Sequence, residues 1–389
     1  MQDNGLRNRY GKAVRPLFTL SDAVAHLNHG SYGATPREVT AAQRVFQDEL
    51  ESEPSGFMQR RFPVLLRDAA RHLAAYLNTG THQIAMVENA TSGVNAVIQS
   101  LVLSKDDEVL ITDQTYGAVR NTVIHACGRS GARLVDVALP FPDPSDDAIV
   151  GAFASGLSPR TKLVVVDHVT SPTALVLPVA RMVAEAHKTE ARILIDGAHA
   201  PGMLPVDLAA IDCDHYTGNC HKWLCAPKGC AFLWTAPSFL DSTHPTVISH
   251  GHGKGYETEF DWVGTRDASA QFALPAALAF MERLGGADVM EHNRSLAFDA
   301  ATLLAETWGT RTGASRDHFG SMAMIELPLT GTATRESGLA IRARLLDEHK
   351  VQVPINALGG RYWARISAQI YNEMEDYERL ARAVRTIAG

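Results

Sequence analysis

The chain has 389 residues, 46% hydrophobic and 20% charged, with a net charge of −7. That length accommodates two domains and a sizeable core, and the acidic balance argues against a nucleic-acid partner, which would show a basic patch. No run of 18 apolar residues occurs, so no membrane span is expected. The N-terminal Met1-Gln2-Asp3-Asn4-Gly5-Leu6-Arg7-Asn8 has no apolar signal core, which makes the cytoplasm the expected location. Five cysteines, four of them between Cys213 and Cys230, do not make a secreted disulfide framework.

In chain order, residues 1–20 are polar and mixed and are expected to pack on a small domain or a partner subunit. Leu27-Asn28-His29-Gly30-Ser31-Tyr32-Gly33-Ala34 sets two glycines around small polar residues, which predicts a tight turn lining a site; an ordinary surface loop is the competing reading. Residues 36–77 show helical spacing broken at Pro54-Ser55-Gly56. Ile84-Ala85-Met86-Val87 reads as a buried strand running into Glu88-Asn89-Ala90-Thr91-Ser92-Gly93 and a helix-like stretch over 96–101. Strand, small hydroxyl residues, then helix is how a phosphate is held, because the helix N-terminus offers unpaired N–H groups. The plainer alternative is that Thr91 or Ser92 caps the helix.

Val109-Leu110-Ile111-Thr112 is a second strand, with Tyr116 just beyond its carboxyl end, where ligands gather in open α/β sheets. Leu163-Val164-Val165-Val166-Asp167-His168 has the near-continuous β-branched character of a parallel strand covered on both faces. A helix over 180–186 and a strand at Ile193-Leu194-Ile195-Asp196 follow. This alternation predicts a doubly wound α/β domain with a mostly parallel sheet.

Asp196 ends a buried strand, and a carboxylate there is costly unless it is paired. Lys222 follows by 26 residues, in Tyr216-Thr217-Gly218-Asn219-Cys220-His221-Lys222-Trp223, ahead of the strand-like Cys230-Ala231-Phe232-Leu233-Trp234. An acid to hold a pyridine nitrogen protonated, then a lysine to form a Schiff base, is the pattern a pyridoxal 5'-phosphate (PLP) enzyme needs. Lys228 in Ala226-Pro227-Lys228-Gly229 reads as solvated, and Lys254 lacks a strand–turn–helix setting. Past Asp261-Trp262-Val263-Gly264-Thr265-Arg266-Asp267 a helical pattern runs over 270–284, and the domain switch is placed here. The expected division is 1–20, a large domain over 21–268 and a smaller C-terminal α/β domain over 269–389. In Arg361-Tyr362-Trp363-Ala364-Arg365-Ile366-Ser367 two arginines share a strand face; Arg365 is a candidate clamp for a substrate carboxylate, or else makes a surface ion pair.

Taken together, Asn28-His29-Gly30-Ser31-Tyr32-Gly33, Asn89-Ala90-Thr91, Asp196-Gly197-Ala198-His199, Gly218-Asn219-Cys220-His221-Lys222-Trp223, Gly264-Thr265-Arg266-Asp267 and Arg365-Ile366-Ser367 resemble the class V aminotransferase-like family of PLP fold type I, in its isopenicillin N epimerase-like branch. The resemblance implies a Schiff base on Lys222, Asp196 at the pyridine nitrogen, His199 near the ring oxygen and Tyr116 on the ring face. It implies Ala90, Thr91, Ser92, Asn219 and His221 around the phosphate, Asn219 standing where many relatives have serine. Thr265 would reach the phosphate of the partner subunit, making a homodimer with shared active sites. Arg365 would hold the α-carboxylate, with Asn28, Ser31 and Tyr32 beside the substrate.

The substrate implied is a small-molecule amino acid of undetermined side chain, with epimerisation the first reaction, C–S lysis of cysteine S-conjugates the second and transamination the third. No cysteine follows Cys230, which points away from desulfuration through a cysteine persulfide in the C-terminal half. Two rivals are weighed against this reading. Cys213, His215, Cys220, His221, Cys225 and Cys230 crowd enough to suggest a zinc module, though without a Cys-x-x-Cys pair. A cofactor-bound scaffold without catalysis is the other.

Overall fold

The β-branched runs form the middle of a seven-stranded sheet. In the computed structural model, which describes residues 9–388, its strands are β1 Ile84–Val87, β2 Glu108–Thr112, β3 Arg133–Val137, β4 Thr161–Asp167, β5 Arg192–Asp196, β6 His215–Asn219 and β7 Ala231–Thr235. They lie in the order β1-β7-β6-β5-β4-β2-β3. The pairs from β6 through β3 are parallel, and β7 runs antiparallel to both β6 and β1. Leu163 through Val166 and Ile193 through Ile195 are wholly buried, as strands sandwiched between helices must be. The order reverses at β2, whose neighbours are β3 on one side and β4 on the other. The crevice at the carboxyl ends of these strands is where such a sheet receives a ligand.

Flanking helices include α1 Arg37–Ser52, α2 Phe62–Tyr76, α3 Ala90–Ser100, α4 Gly117–Ser130, α5 Asp146–Ser155, α6 Val179–His187, α7 Leu274–Arg283 and α8 Ala287–Trp308. A second sheet is antiparallel, ordered β9-β10-β8, with β8 Met322–Glu326, β9 Ile355–Leu358 and β10 Arg361–Ser367. α8, α9 Arg335–Asp347 and α10 Met374–Ala388 surround it. Ala25 and Leu27 join the core around this second sheet. Residues 1–8 lie outside the described residues. Further on, Gly11 donates its N–H to the Ile370 carbonyl at 2.6 Å and the Tyr10 hydroxyl donates to the Leu284 carbonyl at 3.3 Å.

Of four local expectations, two are met and two need correction. The helical stretch does break beside Pro54-Ser55-Gly56: α1 ends at Ser52 and Glu53 leaves helical geometry (φ −150°, ψ 71°). Pro54 then opens a new turn, a position that lacks nothing by lacking an N–H, and a π-turn at Phe57–Arg61 carries the chain into α2. The helix after β1 begins at Ala90 rather than near 96, so Ala90, Thr91 and Ser92 form its first turn. The helical pattern over 270–284 divides into Ser269–Phe272 and α7, with Pro275 in the first turn of α7. Asn28 to Gly33 form the expected tight turn, a short helical one at His29–Tyr32 closed at Gly33 with φ 71°. Among the described residues, no helix is long and apolar enough to cross a membrane.

Candidate active site

β4 and β5 each end in an acid, and their parallel register makes Asp167 and Asp196 direct neighbours. Both are 3% exposed and both line a cavity of about 370 Å³ at the sheet's carboxyl edge. Burial pushes both carboxyls above their usual range. Asp167 is pushed furthest because the Asp196 charge adds to the burial. The Ala198 N–H, 3.0 Å from Asp196 Oδ1, favours the ionised form of Asp196.

Lys222 enters the same cavity from the turn after β6. Its segment is fixed by backbone bonds from His221 N to the Cys230 carbonyl (3.1 Å) and from Ala226 N to the Cys220 carbonyl (3.1 Å). His29 sits behind it, with Nε2 3.0 Å from the Lys222 carbonyl and Nδ1 2.8 Å from the Tyr371 hydroxyl. Burial pushes the His29 imidazole down to about 3, so the ring is neutral. Gly33 also meets this segment: a side-chain methyl there would overlap the His221 carbonyl oxygen. The Lys222 amine is pushed down to about 7 by burial and by the Arg365 charge, against the pull of Asp196 and Asp167. Its Nζ lies 3.2 Å from His199 Nε2.

The N-terminus of α3 forms the opposite wall through Asn89, Ala90 and Thr91. Neither Thr91 nor Ser92 caps the helix; Asn89 does, accepting from Ser92 N at 2.9 Å. Ser92 also places its hydroxyl 3.3 Å from Asn89 and is not part of the cavity wall. Asn219 Oδ1 accepts the Ala90 N–H at 2.9 Å, tying the end of β6 to the helix N-terminus. His221 faces the cavity with Nδ1 3.1 Å from the Cys230 carbonyl, and burial pushes its imidazole down to about 4. Tyr116, at the start of α4, lines the mouth and is 47% exposed.

Arg365 approaches from β10. It is buried, unlike Arg361 on the same strand face, which is exposed and pairs with Glu326. Nη1 of Arg365 donates to the Ser171 carbonyl (2.6 Å) and hydroxyl (3.1 Å), and Nη2 donates to the Ser31 hydroxyl (3.1 Å). The Ser31 hydroxyl in turn donates to Asn28 Oδ1 at 2.6 Å. Nε has no partner, and no carboxylate among the described residues pairs with this guanidinium. Burial pulls it down to about 10. Ser31, Ser171 and Tyr32 line the cavity. A buried cation compensated only by hydroxyls and a carbonyl has capacity for an anion.

The structure therefore gathers Lys222, Asp196, His199, Tyr116, Ala90, Thr91, Asn219, His221, Ser31 and Tyr32 around one cavity, with Arg365 and Asn28 one hydrogen bond behind. Ser92 and Thr265 are not in its wall; Thr265 is exposed on the stretch before Ser269. Sequence reasoning missed Asp167, Ser171, His29 and Asn89. Asp167 had a readable signal, since it closes an apolar strand just as Asp196 does. Among the described residues, no group of three or more His, Cys, Asp or Glu side chains is arranged to hold a metal ion.

The cavity fits PLP on three counts. It offers an amine deprotonated near neutrality, buried carboxylates lacking a cation other than that amine, and the N-terminus of an eleven-residue helix in its wall. The comparisons with known proteins agree. The Aminotransferase class-V family matches residues 34–380. The isopenicillin N epimerase of Streptomyces clavuligerus is 34% identical over 395 residues, covering 97% of this chain and 98% of the relative. An L-cysteine desulfhydrase of Arabidopsis thaliana is 31% identical over 395 residues, covering 93% and 87%. Among solved structures, a C-DES mutant with glycine covalently linked to its PLP cofactor superposes with a TM-score of 0.80 at 21% identity, covering 95% of this chain and 98% of that one. With the fold, the cavity and these relatives in agreement, the chain belongs to the class-V aminotransferase family of PLP-dependent enzymes.

Proposed function

We propose that this enzyme cleaves the C–S bond of a small amino acid of the cysteine type, releasing a sulfur leaving group from Cβ. The observation that carries the reading is a lysine amine lowered to about 7 inside a cavity of about 370 Å³, with a buried arginine that lacks a carboxylate held directly behind the wall residues Ser31 and Ser171. The 31% identity to an L-cysteine desulfhydrase over 93% of this chain favours a substrate of the cysteine type. Lys222 is the attachment point, Asp196 the partner of the pyridine nitrogen, and Thr91, Asn219 and His221 the phosphate contacts. Bound PLP supplies the electron sink that stabilises negative charge at the substrate's Cα.

The chain's own residues do the rest. Arg365 supplies the positive charge that draws the α-carboxylate to the Ser31 and Ser171 wall, and the Ser171 contacts keep the guanidinium plane fixed. Lys222 Nζ takes the Cα proton, which a neutral amine can do near pH 7. The Cα–H electron pair forms the Cα=Cβ bond as the Cβ–S bond breaks, and the proton on Nζ is available to the departing sulfur. Water then converts the enamine product to pyruvate and ammonia. Elimination asks for one base, and Lys222 supplies it.

Epimerisation is the second reading, favoured by the 34% identity to isopenicillin N epimerase across nearly both whole chains. It needs a proton donor besides Lys222, and the Tyr32 and Tyr116 hydroxyls of the cavity lining are the candidates. One experiment separates the two. Incubation with L-cysteine in deuterated water should give stoichiometric sulfide and pyruvate. Deuterium at Cα with inversion and without sulfide would favour epimerisation and refute the lyase reading.

A further inference from the structure

His199 stands between two nitrogens. Its Nδ1 is 3.4 Å from Trp223 Nε1 and its Nε2 is 3.2 Å from Lys222 Nζ. An indole N–H can only donate. Nδ1 is therefore the acceptor and carries no proton. A neutral imidazole with a bare Nδ1 holds its proton on Nε2, aimed at the Lys222 amine, which must meet it with a lone pair. Both rings are buried, and Trp223 is itself fixed between His199 and His29, whose ring centroid is 4.8 Å away. The charged and titratable groups facing His199 are Lys222, Arg365, His221 and His29; all four disfavour an imidazolium, and burial disfavours it more.

We infer that Trp223 is a positioning residue that locks His199 in the Nε2–H tautomer, so that His199 offers the cavity a hydrogen-bond donor and leaves Lys222 as the proton acceptor. This rests on the reading of Lys222 given above. It removes the histidine next to the reacting amine from the set of candidate second bases. It also explains why a tryptophan directly follows the lysine: the indole N–H sets which nitrogen of His199 faces the cavity. A glutamine at 199 would reproduce this pattern, with its carbonyl accepting from Trp223 and its amide N–H donating to the cavity. It could not reproduce a base.

The test uses the full-length holoenzyme labelled with ¹⁵N-histidine, with the His199 signals identified by their loss in His199→Gln. The expected result is a protonated Nε2 and a bare Nδ1, unchanged from pH 6 to 8.5. Trp223→Phe keeps the bulk and removes the N–H, and should let the ring exchange between tautomers. Kinetically, His199→Gln should cost less than about tenfold in kcat while His199→Leu costs more than about a hundredfold, the range of a lost positioned donor. A protonated Nδ1 in the wild-type enzyme, or a ring that gains a charge near pH 7, overturns the inference. So does a His199→Gln variant as impaired as His199→Leu, which keeps the proposal exposed should Trp223→Phe fail to fold. The tautomer is read without turnover. Retention of the visible cofactor band in Lys222→Ala would instead strike the Lys222 reading and leave the tautomer result standing.

Discussion

Asp167 and Asp196 are register partners at the ends of adjacent parallel strands, and both carboxyls open into the cavity that holds Lys222. Two carboxyls so placed do not both ionise at low cost, so the pair titrates as a unit. Asp196 has the Ala198 N–H to favour its charge, and Asp167 is the one pushed furthest upward. Asp196→Asn should therefore weaken PLP binding and cut turnover by about a hundredfold or more, the scale of losing a charge that tunes the cofactor. Asp167→Asn, whose amide imitates a neutral acid, should cost less than about tenfold. Equilibrium dialysis with PLP and steady-state assays compare the two; equal losses would mean that the charges are shared otherwise.

The lysine carries a pH signature. Its folded value of about 7 lies below the ordinary 10.5, so between these values the unfolded chain binds one more proton than the folded one. Stability of the cofactor-free protein should rise with pH across that window and be lower beneath pH 7. The rate at which PLP is captured should climb through about pH 7 as the free amine appears. Lys222→Met should stabilise the cofactor-free protein at pH 6, where the native enzyme must bury a charge. Denaturant titrations at pH 6 and 9 and stopped-flow absorbance measure these effects.

Arg365 gives the sharpest kinetic split. Its guanidinium touches the cavity wall through Ser31 and Ser171. Arg365→Ala should raise KM for the amino acid by about a hundredfold, the value of a hydrogen-bonded charge pair, with the visible cofactor band unchanged. A level KM would remove Arg365 from the substrate site.

Gly33 tests the support behind Lys222. With φ at 71° and no room for a methyl beside the His221 carbonyl, Gly33→Ala should cost about 1–3 kcal/mol from backbone strain alone. Displacement of the lysine segment should add a loss of PLP affinity. Thermal unfolding with and without PLP reads both; an unshifted Tm in each would contradict the packing described.

The sheet, and the presence of Asp196 and Lys222 in one cavity, were legible because their signals are local. Leu163 to Val166 and Ile193 to Ile195 could be placed as covered parallel strands from composition, and Asp196 and Lys222 by their spacing. What escaped were relationships set by register and by tertiary approach. Asp167 becomes a neighbour of Asp196 only once β4 pairs with β5. Ser171 matters because β10 brings Arg365 across to it. Strand β6 reads as polar, yet His215 to Asn219 are all buried. The Thr217 hydroxyl is satisfied across the sheet by the Phe232 carbonyl, and Asn219 by the N-terminus of α3. Asn89 was overlooked as a cap because hydroxyl residues stood beside it, and any of the three side chains can cap a helix.

The attachment of PLP to Lys222 is tested most directly by borohydride reduction of the holoenzyme followed by peptide mass spectrometry. The expected result is the reduced cofactor on the peptide containing Lys222, with the visible band bleached, and neither change in Lys222→Ala. Cofactor mass on a peptide carrying Lys228 or Lys254, or on none, would contradict the account.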